Sequence, residues 1–331
     1  MRRSAFIASF AAAALVPAAR ARAQDDFDPA SSAQTQSLRV LLGTGDAQPL
    51  SGGGFTFGGR SYRGTFTRTP QGEIVNLVSL EEYLYSVVAR EMSPSWPSSA
   101  LGAQAICART YVLQRSNPRR AYDVVPSELD QVYSGTSTES PAGRAAVDAT
   151  VGAVLRYGNA FAQIAYSSCC GGHTEASSDA WGGAPIPYLN GVSCPHCTAS
   201  PNYRWERSLN LGDVAQRFAR ELSAYGALTT LALGASDASG RATTVELRCE
   251  RGSAFVKGST FRLRVGPRAV PSLLISRIDT PSGAAQATLA GGGLGHGVGL
   301  CQWGARGMAL EGATAADILG FYFPGTTIGH D

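Results

Sequence analysis

In the stretch SLEEYLYSVVAREMSPSWPSSALGAQAICART, residues 79–110, the hydrophobic pattern changes from the period of strands to that of helices. Ser79 and Glu82 have the spacing of an N-terminal capping box, and apolar residues then repeat on one helical face as far as Glu91. After a short loop, Pro97 is placed to open a second helix. The segment therefore predicts two consecutive helices joined by a turn.

Short apolar or alternating runs flank this segment on both sides. Upstream they predict strands of a meander at 39–42, 55–57, 61–66 and 73–78. Downstream the patterns predict helices at 141–150, 209–225, 302–310 and from Thr314, with a hairpin over 153–166 and short strands over 227–288. Strand runs mixed with helix runs, without regular β–α alternation or an internal repeat, predict an α+β fold in a single compact unit.

Two short metal-ligand pairs lie in the loops that follow the hairpin. Two residues separate Cys170 from His173, and two separate Cys194 from Cys197. Tight turns can bring three thiolates and one imidazole to the corners of a tetrahedron, which is the geometry of a closed structural Zn²⁺ site. A closed site leaves no position for substrate, so we expect zinc to staple a small loop subregion while the chemistry lies elsewhere.

The same cysteines allow two other interpretations. In an oxidising compartment Cys194 and Cys197 could form disulfides with Cys169 or Cys170, and a single thiol could be a catalytic nucleophile. The odd total of seven cysteines favours the metal, because three of them have no evident partner. Those three are predicted to be core thiols, which behave as small hydrophobes: Cys107, Cys249 and Cys301.

The N-terminus has the features of an export signal. An arginine pair precedes an apolar run, and a small-x-small sequence ends at Ala23. We predict a signal peptide at 1–23, a disordered lead-in at 24–36 and one domain over 37–331. Four of the 28 basic residues and none of the 25 acidic ones lie in the signal, so the mature chain has a net charge close to −1. This balance argues against a nucleic-acid partner, and no later stretch approaches the roughly 20 apolar residues of a membrane span.

Four blocks of sequence resemble the SpoIID/LytB family of stage II sporulation protein D-like and amidase enhancer-like cell-wall proteins. Besides residues 79–110, they are CGGHTEASSDAWGGAPIPYL at 170–189, GHGVGLCQWGARGMALEG at 295–312 and FYFPGTTI at 321–328. They occur in the family's order and cover nearly the whole mature chain. The resemblance implies a peptidoglycan lytic transglycosylase, which cleaves the bond between N-acetylmuramic acid and N-acetylglucosamine and leaves a 1,6-anhydro end.

Glu91 matches the family's catalytic glutamate. An ordinary glycosidase needs two carboxylates, but a lytic transglycosylase can act with one, because the C6 hydroxyl of the sugar attacks the anomeric carbon intramolecularly. Met92, Trp96 and the preceding valines give Glu91 an apolar setting, which should raise the pKa of its carboxyl. The alternative is a solvated glutamate at a helix end.

Two residues of the second helix are further candidates. Arg109 matches a functional position of the family, and the resemblance implies that it contacts sugar; the alternative is a surface arginine with its stem packed on the protein. An arginine too close to Glu91 would lower the pKa that the acid role needs raised, so we expect contact through the substrate. Gln104 stands among alanines, where a buried amide must find partners and could hold Glu91, a sugar or the backbone.

The glycine-rich stretch Gly291–Gly299 does not have the spacing of a nucleotide-binding loop. We interpret its glycines as allowing close approach of a glycan chain, with His296, Gln302 and Trp303 lining the groove; core packing is the alternative for each. The chain departs from the family at Cys301, where many members carry serine. It also departs at Ser167, where a histidine often precedes the CGG block.

The sequence thus predicts a secreted protein, periplasmic or associated with the cell wall, that cleaves glycan strands with Glu91 as general acid and base. Its expected partners are peptidoglycan glycan strands and a wall amidase. Two other functions stay open. One is a non-catalytic, wall-binding amidase enhancer. The other is a cysteine peptidase or amidase that uses Cys169 or Cys170 with His296 on stem peptides.

Overall fold

The computed structural model describes residues 36–127 and 130–331. The predicted signal peptide lies outside these residues, as does the predicted lead-in apart from Gln36. The strands of the described residues are β1 (Ser37–Thr44), β2 (Ala47–Pro49), β3 (Phe55–Phe57), β4 (Arg60–Tyr62), β5 (Thr65–Arg68), β6 (Glu73–Ser79), β7 (Ala153–Tyr157), β8 (Ala160–Phe161), β9 (Tyr166–Ser167), β10 (Trp205–Asn210), β11 (Leu228–Leu233), β12 (Thr244–Cys249), β13 (Gly252–Lys257), β14 (Ile275–Asp279), β15 (Gln286–Gly291), β16 (Leu300–Cys301) and β17 (Thr327–His330). The helices are α1 (Leu80–Glu91), α2 (Ser98–Arg115), α3 (Pro141–Asp148), α4 (Ser177–Trp181), α5 (Leu211–Arg217), α6 (Ala219–Leu222), α7 (Gly258–Val265), α8 (Gln302–Leu310) and α9 (Ala315–Tyr322).

Helix α1 begins where its sequence predicts. The Ser79 hydroxyl accepts a hydrogen bond from the Glu82 N–H at 3.3 Å and donates to the Glu82 carboxylate at 2.9 Å. Side-chain oxygens at this position satisfy N–H groups that have no partner within a helix. The helix ends at Glu91, and Met92 returns to an extended conformation. The predicted catalytic residue therefore lies at a helix terminus, beside the loop that leads to α2.

Helix α2 is the central element of the fold. It is buried continuously from Ala100 to Leu113 and packs against α1, α3, α8, α9 and β7. A helix that is apolar and small on all sides can be surrounded in this way. Three polar side chains lie inside it, Gln104, Arg109 and Thr110, and burial obliges each to find hydrogen-bond partners. Arg109 and Thr110 hydrogen-bond β7, and the Gln104 oxygen accepts from Gln302 of α8, while the Gln104 Nε2 has no hydrogen-bond partner among the described residues. These contacts help α2 to fix where β7 and α8 lie.

The strands form several small sheets instead of one large sheet. Strand β6 pairs antiparallel with β1 and β5, and the remaining antiparallel sheets have the orders β2–β3–β4, β17–β7–β8, β10–β15–β14 and β11–β12–β13. Strand β9 pairs with β16 in parallel, which sets Ser167 opposite Cys301. This pairing brings the C-terminal glycine-rich block next to the cysteine loops.

The apolar residues gather in two clusters. The first, here called the main core, surrounds α1, α2, α8 and α9. The second lies within residues 205–291, here called the inserted lobe, which contains β10 to β15 and α5 to α7. The mixed α+β fold is confirmed, but the chain builds two hydrophobic cores where one had been expected. None of the helices in the described part of the chain is both long and apolar enough to cross a bilayer.

Most predicted elements are confirmed, including α1, α3, α8 and the hairpin of β7 and β8. The Thr314–Asp317 capping box of α9 is fully formed. Two predictions in the inserted lobe were wrong. The helix expected over 209–225 is broken at Phe218 into α5 and α6. Helix α7 lies in a stretch expected to contain only strands, because its apolar residues do not repeat on one face.

Candidate active site

Glu91 lies among neutral polar groups from three separate segments. The Gln302 amide, at the start of α8, donates hydrogen bonds to the Glu91 carboxylate at 3.2 Å and to the Gln104 side-chain oxygen at 3.3 Å. A further hydrogen bond reaches Glu91 from the backbone of Val132. The structure thus brings together the predicted residues Glu91, Gln104 and Gln302, here called the Glu91 group.

Burial raises the pKa of the Glu91 carboxyl to about 7, against the opposing effects of the hydrogen bonds from Gln302 and Val132 and the charge of Arg90. Desolvation disfavours the charged form of a carboxyl, which is the physical cause of such a shift. Among the described residues, the groups that act on Glu91 include no second carboxylate. The carboxyl can therefore both hold and release a proton near neutral pH.

An aromatic surface adjoins the Glu91 group. Trp96 follows Glu91 in the loop before α2, and Trp303 follows Gln302 in α8; their ring centroids are 5.0 Å apart in an edge-on arrangement. The Arg306 guanidinium lies 5.3 Å from the Trp303 centroid and 6.0 Å from that of Trp96. All three side chains are half-buried. Flat apolar faces beside an acid are suited to sugar rings.

Arg109 lies away from the Glu91 group. Its guanidinium donates to both oxygens of Glu81, at 2.8 and 2.6 Å, and to the Ala153 carbonyl at 2.9 Å. The side chain is 0% exposed, and Glu81 is ten residues before Glu91, roughly 15 Å along the axis of α1. The expectation that Arg109 contacts sugar therefore has no support in this geometry. The buried charge is instead satisfied by an ion pair that joins α1, α2 and β7.

His296 also differs from its expected position as a groove residue of the Glu91 group. Its Nδ1 accepts from the Val298 N–H at 3.0 Å, and its ring contacts that of Trp181 with centroids 5.1 Å apart. Burial, followed by the charges of Arg262 and Arg241, lowers the pKa of His296 to about 3. The imidazole is therefore neutral, and the structure does not pair it with Cys169 or Cys170 as a cysteine peptidase would require.

The glycines of residues 291–299 approach protein atoms. A side chain at Gly297, where φ is +84°, would collide with the Arg241 guanidinium, and one at Gly299 would collide with the Ala165 carbonyl. The interpretation that these glycines admit a glycan chain thus gives way to a packing role. They allow the loop to lie between the main core and the inserted lobe.

Four cysteines form a compact, buried cluster. The sulfur atoms of Cys170, Cys194, Cys197 and Cys301 all lie within 4.8 Å of one another. The distance between the sulfurs of Cys170 and Cys197 is 3.7 Å. Four thiolates about 2.3 Å from a central Zn²⁺ would be about 3.8 Å apart, whereas a disulfide bond is about 2.05 Å long. The donor set therefore fits a tetrahedral metal site.

The surroundings of the cluster also suit thiolate ligands. The Cys301 sulfur accepts from the N–H groups of Cys170 at 3.2 Å and Gly304 at 3.4 Å. The Tyr322 hydroxyl lies 3.0 Å from the Cys194 sulfur. Such donors stabilise negative charge on metal-bound sulfur. All seven cysteines fall within the described residues, and none forms a disulfide there.

Two sequence predictions about the metal site need correction. His173 is not part of the cluster; its Nδ1 lies 2.6 Å from the Thr174 carbonyl oxygen. Cys301, predicted to be an isolated core thiol, supplies the fourth sulfur. The parallel pairing of β9 with β16 carries Cys301 to the cluster across 131 positions of sequence, which local ligand spacing could not indicate. Because Gln302 directly follows Cys301, the cluster also fixes the start of α8 beside Glu91.

Comparisons with known proteins identify the family of the chain. The family described as Stage II sporulation protein, SpoIID, matches residues 69–157, which include α1 and α2. An uncharacterized protein of Brachyspira hyodysenteriae is 33% identical over 282 residues, covering 83% of this chain and 74% of that protein. Stage II sporulation protein D of Bacillus subtilis is 29% identical over 313 residues, covering 89% and 86%. The chain belongs to the SpoIID family.

A second relative has a different name. The amidase enhancer of Bacillus subtilis is 29% identical over 293 residues, which cover 74% of this chain but only 40% of that protein. The matched SpoIID segment contains Glu91, Gln104 and Arg109. It ends before the cysteine cluster and before α8, which completes the Glu91 group.

Sequence reasoning missed several contributors to the site. The backbone of Val132 and the guanidinium of Arg306 had no signal, because neither stands in a recognisable pattern. Glu81 could have been suspected as the partner of Arg109, since a buried arginine requires a carboxylate or several carbonyls. The role of Cys301 could have been suspected from the odd count of cysteines.

Proposed function

We propose that this SpoIID-family protein is a peptidoglycan lytic transglycosylase with Glu91 as its single general acid and base. The observation that carries the proposal is the carboxyl with a pKa near 7, which accepts hydrogen bonds from amides and on which no second carboxylate of the described residues acts. A retaining or inverting glycosidase would need a partner carboxylate at a set distance. A single carboxyl suffices when an internal hydroxyl is the nucleophile.

In the proposed reaction, protonated Glu91 donates to the glycosidic oxygen as the bond to the N-acetylmuramic acid anomeric carbon breaks. The C6 hydroxyl of the same sugar then attacks that carbon, and the Glu91 carboxylate accepts the hydroxyl proton. Gln302 holds the carboxylate oxygen in place throughout, and Gln104 holds Gln302. Trp96 and Trp303 offer their rings to adjacent sugars.

The test is the substitution E91Q, which keeps the size of the side chain but cannot transfer a proton. We expect turnover of purified glycan strands to fall by a factor of about 10² to 10⁴, the usual contribution of a positioned acid–base group, while strand binding is kept. Mass spectrometry of the wild-type products should find anhydro-muramyl ends that contain no oxygen from heavy-oxygen water. Labelled reducing ends would identify a hydrolase, and full activity of E91Q would refute the assignment of Glu91.

The metal proposed for the cysteine cluster is a structural Zn²⁺, held by Cys170, Cys194, Cys197 and Cys301. Four thiolate donors in a buried tetrahedral arrangement are typical of this ion. The ion would supply no chemistry to the reaction, because four protein ligands leave no open position. Secretion, with residues 1–23 as the signal peptide and glycan strands as the partner, also belongs to this proposal.

A non-catalytic enhancer of a wall amidase is the second candidate function. It is favoured by the relative named amidase enhancer. The two functions differ in what Glu91 contributes, since an enhancer would need the groove but not the proton transfer. If E91Q stimulates a wall amidase as strongly as the wild type while neither cleaves glycan, the enhancer role is the correct one.

A further inference from the structure

A cavity of about 420 Å³ lies between the main core and the inserted lobe. Cavities of this size are typical of small-ligand sites. None of its lining residues belongs to the Glu91 group. Asp179, Trp181 and His296 line it from the main core, and Asp237, Lys257 and Ser259 line it from the inserted lobe. The transglycosylase chemistry proposed above does not use this cavity.

The wall formed by the inserted lobe is positive at the start of α7, where Lys257 lies, although Asp237 belongs to the same wall. Lys257 directly precedes α7, and Ser259 lies in the first turn of that helix. The free N–H groups and the dipole of a helix N-terminus favour anions. Lys257 is exposed and makes no ion pair with any residue that the structure describes. Arg262, one turn further along, is buried in the same wall and donates to the Val270 and Pro271 carbonyls at 3.0 Å.

The opposite wall is acidic. Asp179 is exposed in the first turn of α4, and in the described part of the chain it has no cationic partner within ion-pair distance. Glu175 lies on the same wall; its carboxyl is 3.3 Å from the Arg241 guanidinium and hydrogen-bonds Asp237 of the inserted lobe. Asp237 also accepts from the Ser239 and Arg241 N–H groups. Trp181 adds an apolar surface whose indole N–H is buried without a described partner. Unpaired charges of opposite sign therefore face a single cavity.

We propose that this cavity binds the zwitterionic end of a short peptide. The ligand carboxylate would meet Lys257 and the N-terminus of α7, the ligand ammonium would meet Asp179, and the aliphatic part would pack on Trp181. The proposal rests on the wall function proposed above, because peptidoglycan stem peptides carry such ends. In this proposal the inserted lobe helps to bind the peptide, and the adjacent main core acts on the glycan.

The charges favour a zwitterion over the other small ligands of a wall. A neutral sugar would displace water from both Lys257 and Asp179 without pairing either charge, which is costly. A simple anion would pair with Lys257 but would face Asp179 across the cavity. A ligand with both charges on one end satisfies each wall at once.

The test uses the only lysine of the chain, Lys257, as a probe. Reductive methylation with ¹³C-formaldehyde keeps the positive charge and labels Lys257 and the terminal amine, and K257R identifies the signal that belongs to Lys257. Titration with the synthetic tripeptide L-Ala-γ-D-Glu-meso-diaminopimelate should shift the Lys257 resonance with saturation. A peptide-free glycan tetrasaccharide should not shift it. A shift by the glycan alone would overturn the proposal in favour of a sugar site.

Calorimetry with unlabelled variants tests the two walls separately. K257Q and D179N should each weaken binding of the tripeptide about three- to tenfold, as expected for partly exposed charge pairs, while K257R should bind nearly as the wild type does. R277Q, which changes an exposed arginine outside the cavity, is the matched control. E91Q should bind the tripeptide normally, so loss of transglycosylase activity and loss of peptide binding are separate results. Equal affinity in K257Q, D179N and R277Q would refute the site.

Discussion

The buried Glu91 carboxyl lowers the stability of the folded protein when it is ionised. Its pKa rises from an ordinary 4.5 to about 7 because the folded protein surrounds it with little water. A carboxyl whose pKa is raised by folding binds more protons in the folded state, so the free energy of unfolding falls as pH rises between these two values. This loss of free energy of unfolding is absent well below pH 4.5 and complete well above pH 7.

The change in the pKa of Glu91 on folding predicts how the stability of E91Q, relative to the wild type, depends on pH. Because glutamine does not ionise, the variant should be more stable than the wild type at pH 8, by up to about 3 kcal/mol, since one pKa unit corresponds to about 1.4 kcal/mol. At pH 4 the two proteins should be equally stable. Urea unfolding at both pH values measures the difference. A constant difference between pH 4 and pH 8 would show that the carboxyl is not perturbed by folding.

At the same scale, the predictable residues are those with a local signature. The apolar neighbours of Glu91 in its own segment indicated a raised pKa, and the lone amide of Gln104 indicated a buried polar contact. His173 shows the limit of such reasoning. Its spacing from Cys170 satisfies the rule for a ligand pair, but the Thr174 carbonyl lies close to its Nδ1 and Cys301 occupies the fourth place in the cluster.

At the scale of elements, the Arg109–Glu81 pair joins the two central helices. Both charges are removed from most of the solvent, and the arginine is bidentate to the carboxylate. Removing one partner of a buried pair leaves the other charge uncompensated, which costs several kcal/mol. The pair therefore acts as a strong constraint on how α1 and α2 sit relative to each other.

We expect R109Q to lower the free energy of unfolding by about 3 to 5 kcal/mol, the usual effect of breaking a buried ion pair. R109K should be more stable than R109Q but less stable than the wild type, because an ammonium keeps the positive charge and cannot make the bidentate contact. R60Q, which changes an exposed arginine of β4, is the control. Thermal unfolding separates this role from direct sugar contact. A stable R109Q with a specific loss of glycan binding would restore the sequence-based interpretation.

Elements with both a cap and a regular apolar period were predictable, as α1, α8 and α9 illustrate. Helix α7 was not, because it has no side-chain cap and its charged residues interrupt the apolar face. The break at Phe218 was also hidden, since a fully buried phenylalanine fits an uninterrupted helix equally well. In both cases tertiary packing overrides the local pattern.

At the scale of the whole molecule, the cysteine cluster joins three chain segments and fixes α8. Free zinc at about 1,000 times its dissociation constant would add about 4 kcal/mol to the free energy of unfolding. Removing the metal with a chelator should therefore lower the melting temperature. It should also raise the pKa of the Glu91 carboxyl, because Gln302, whose hydrogen bond lowers that pKa, directly follows Cys301.

Single substitutions distinguish the metal-ligating side chains from side chains outside the cysteine cluster. C194S and C301S should lose bound zinc, measured by elemental analysis, and should unfold at lower temperature. H173A and C249S should each retain about one equivalent, because neither side chain belongs to the cluster. Zinc loss in H173A with retention in C301S would support the original ligand set. Metal-free protein of undiminished stability would exclude a structural zinc site.

The pairing of distant segments was the least predictable property. The hydrophobic pattern predicted where many of the strands lie in the sequence. It did not predict the several small sheets that they form or the pairing of β9 with β16. It also could not separate the inserted lobe from the main core, since both contain similar short strands. Long-range pairing depends on packing that no short window of sequence contains.

The two ends of the inserted lobe lie side by side, since the Gly293 N–H donates to the Asn202 carbonyl at 2.7 Å. Evolution could therefore lengthen, shorten or exchange this lobe without separating the cysteines from α8, because insertions are tolerated where the entry and exit of the chain are adjacent. Under the two functions proposed above, relatives could keep the chemistry of the Glu91 group and acquire new ligand preferences through the inserted lobe. Specificity would then diverge in the family faster than catalysis.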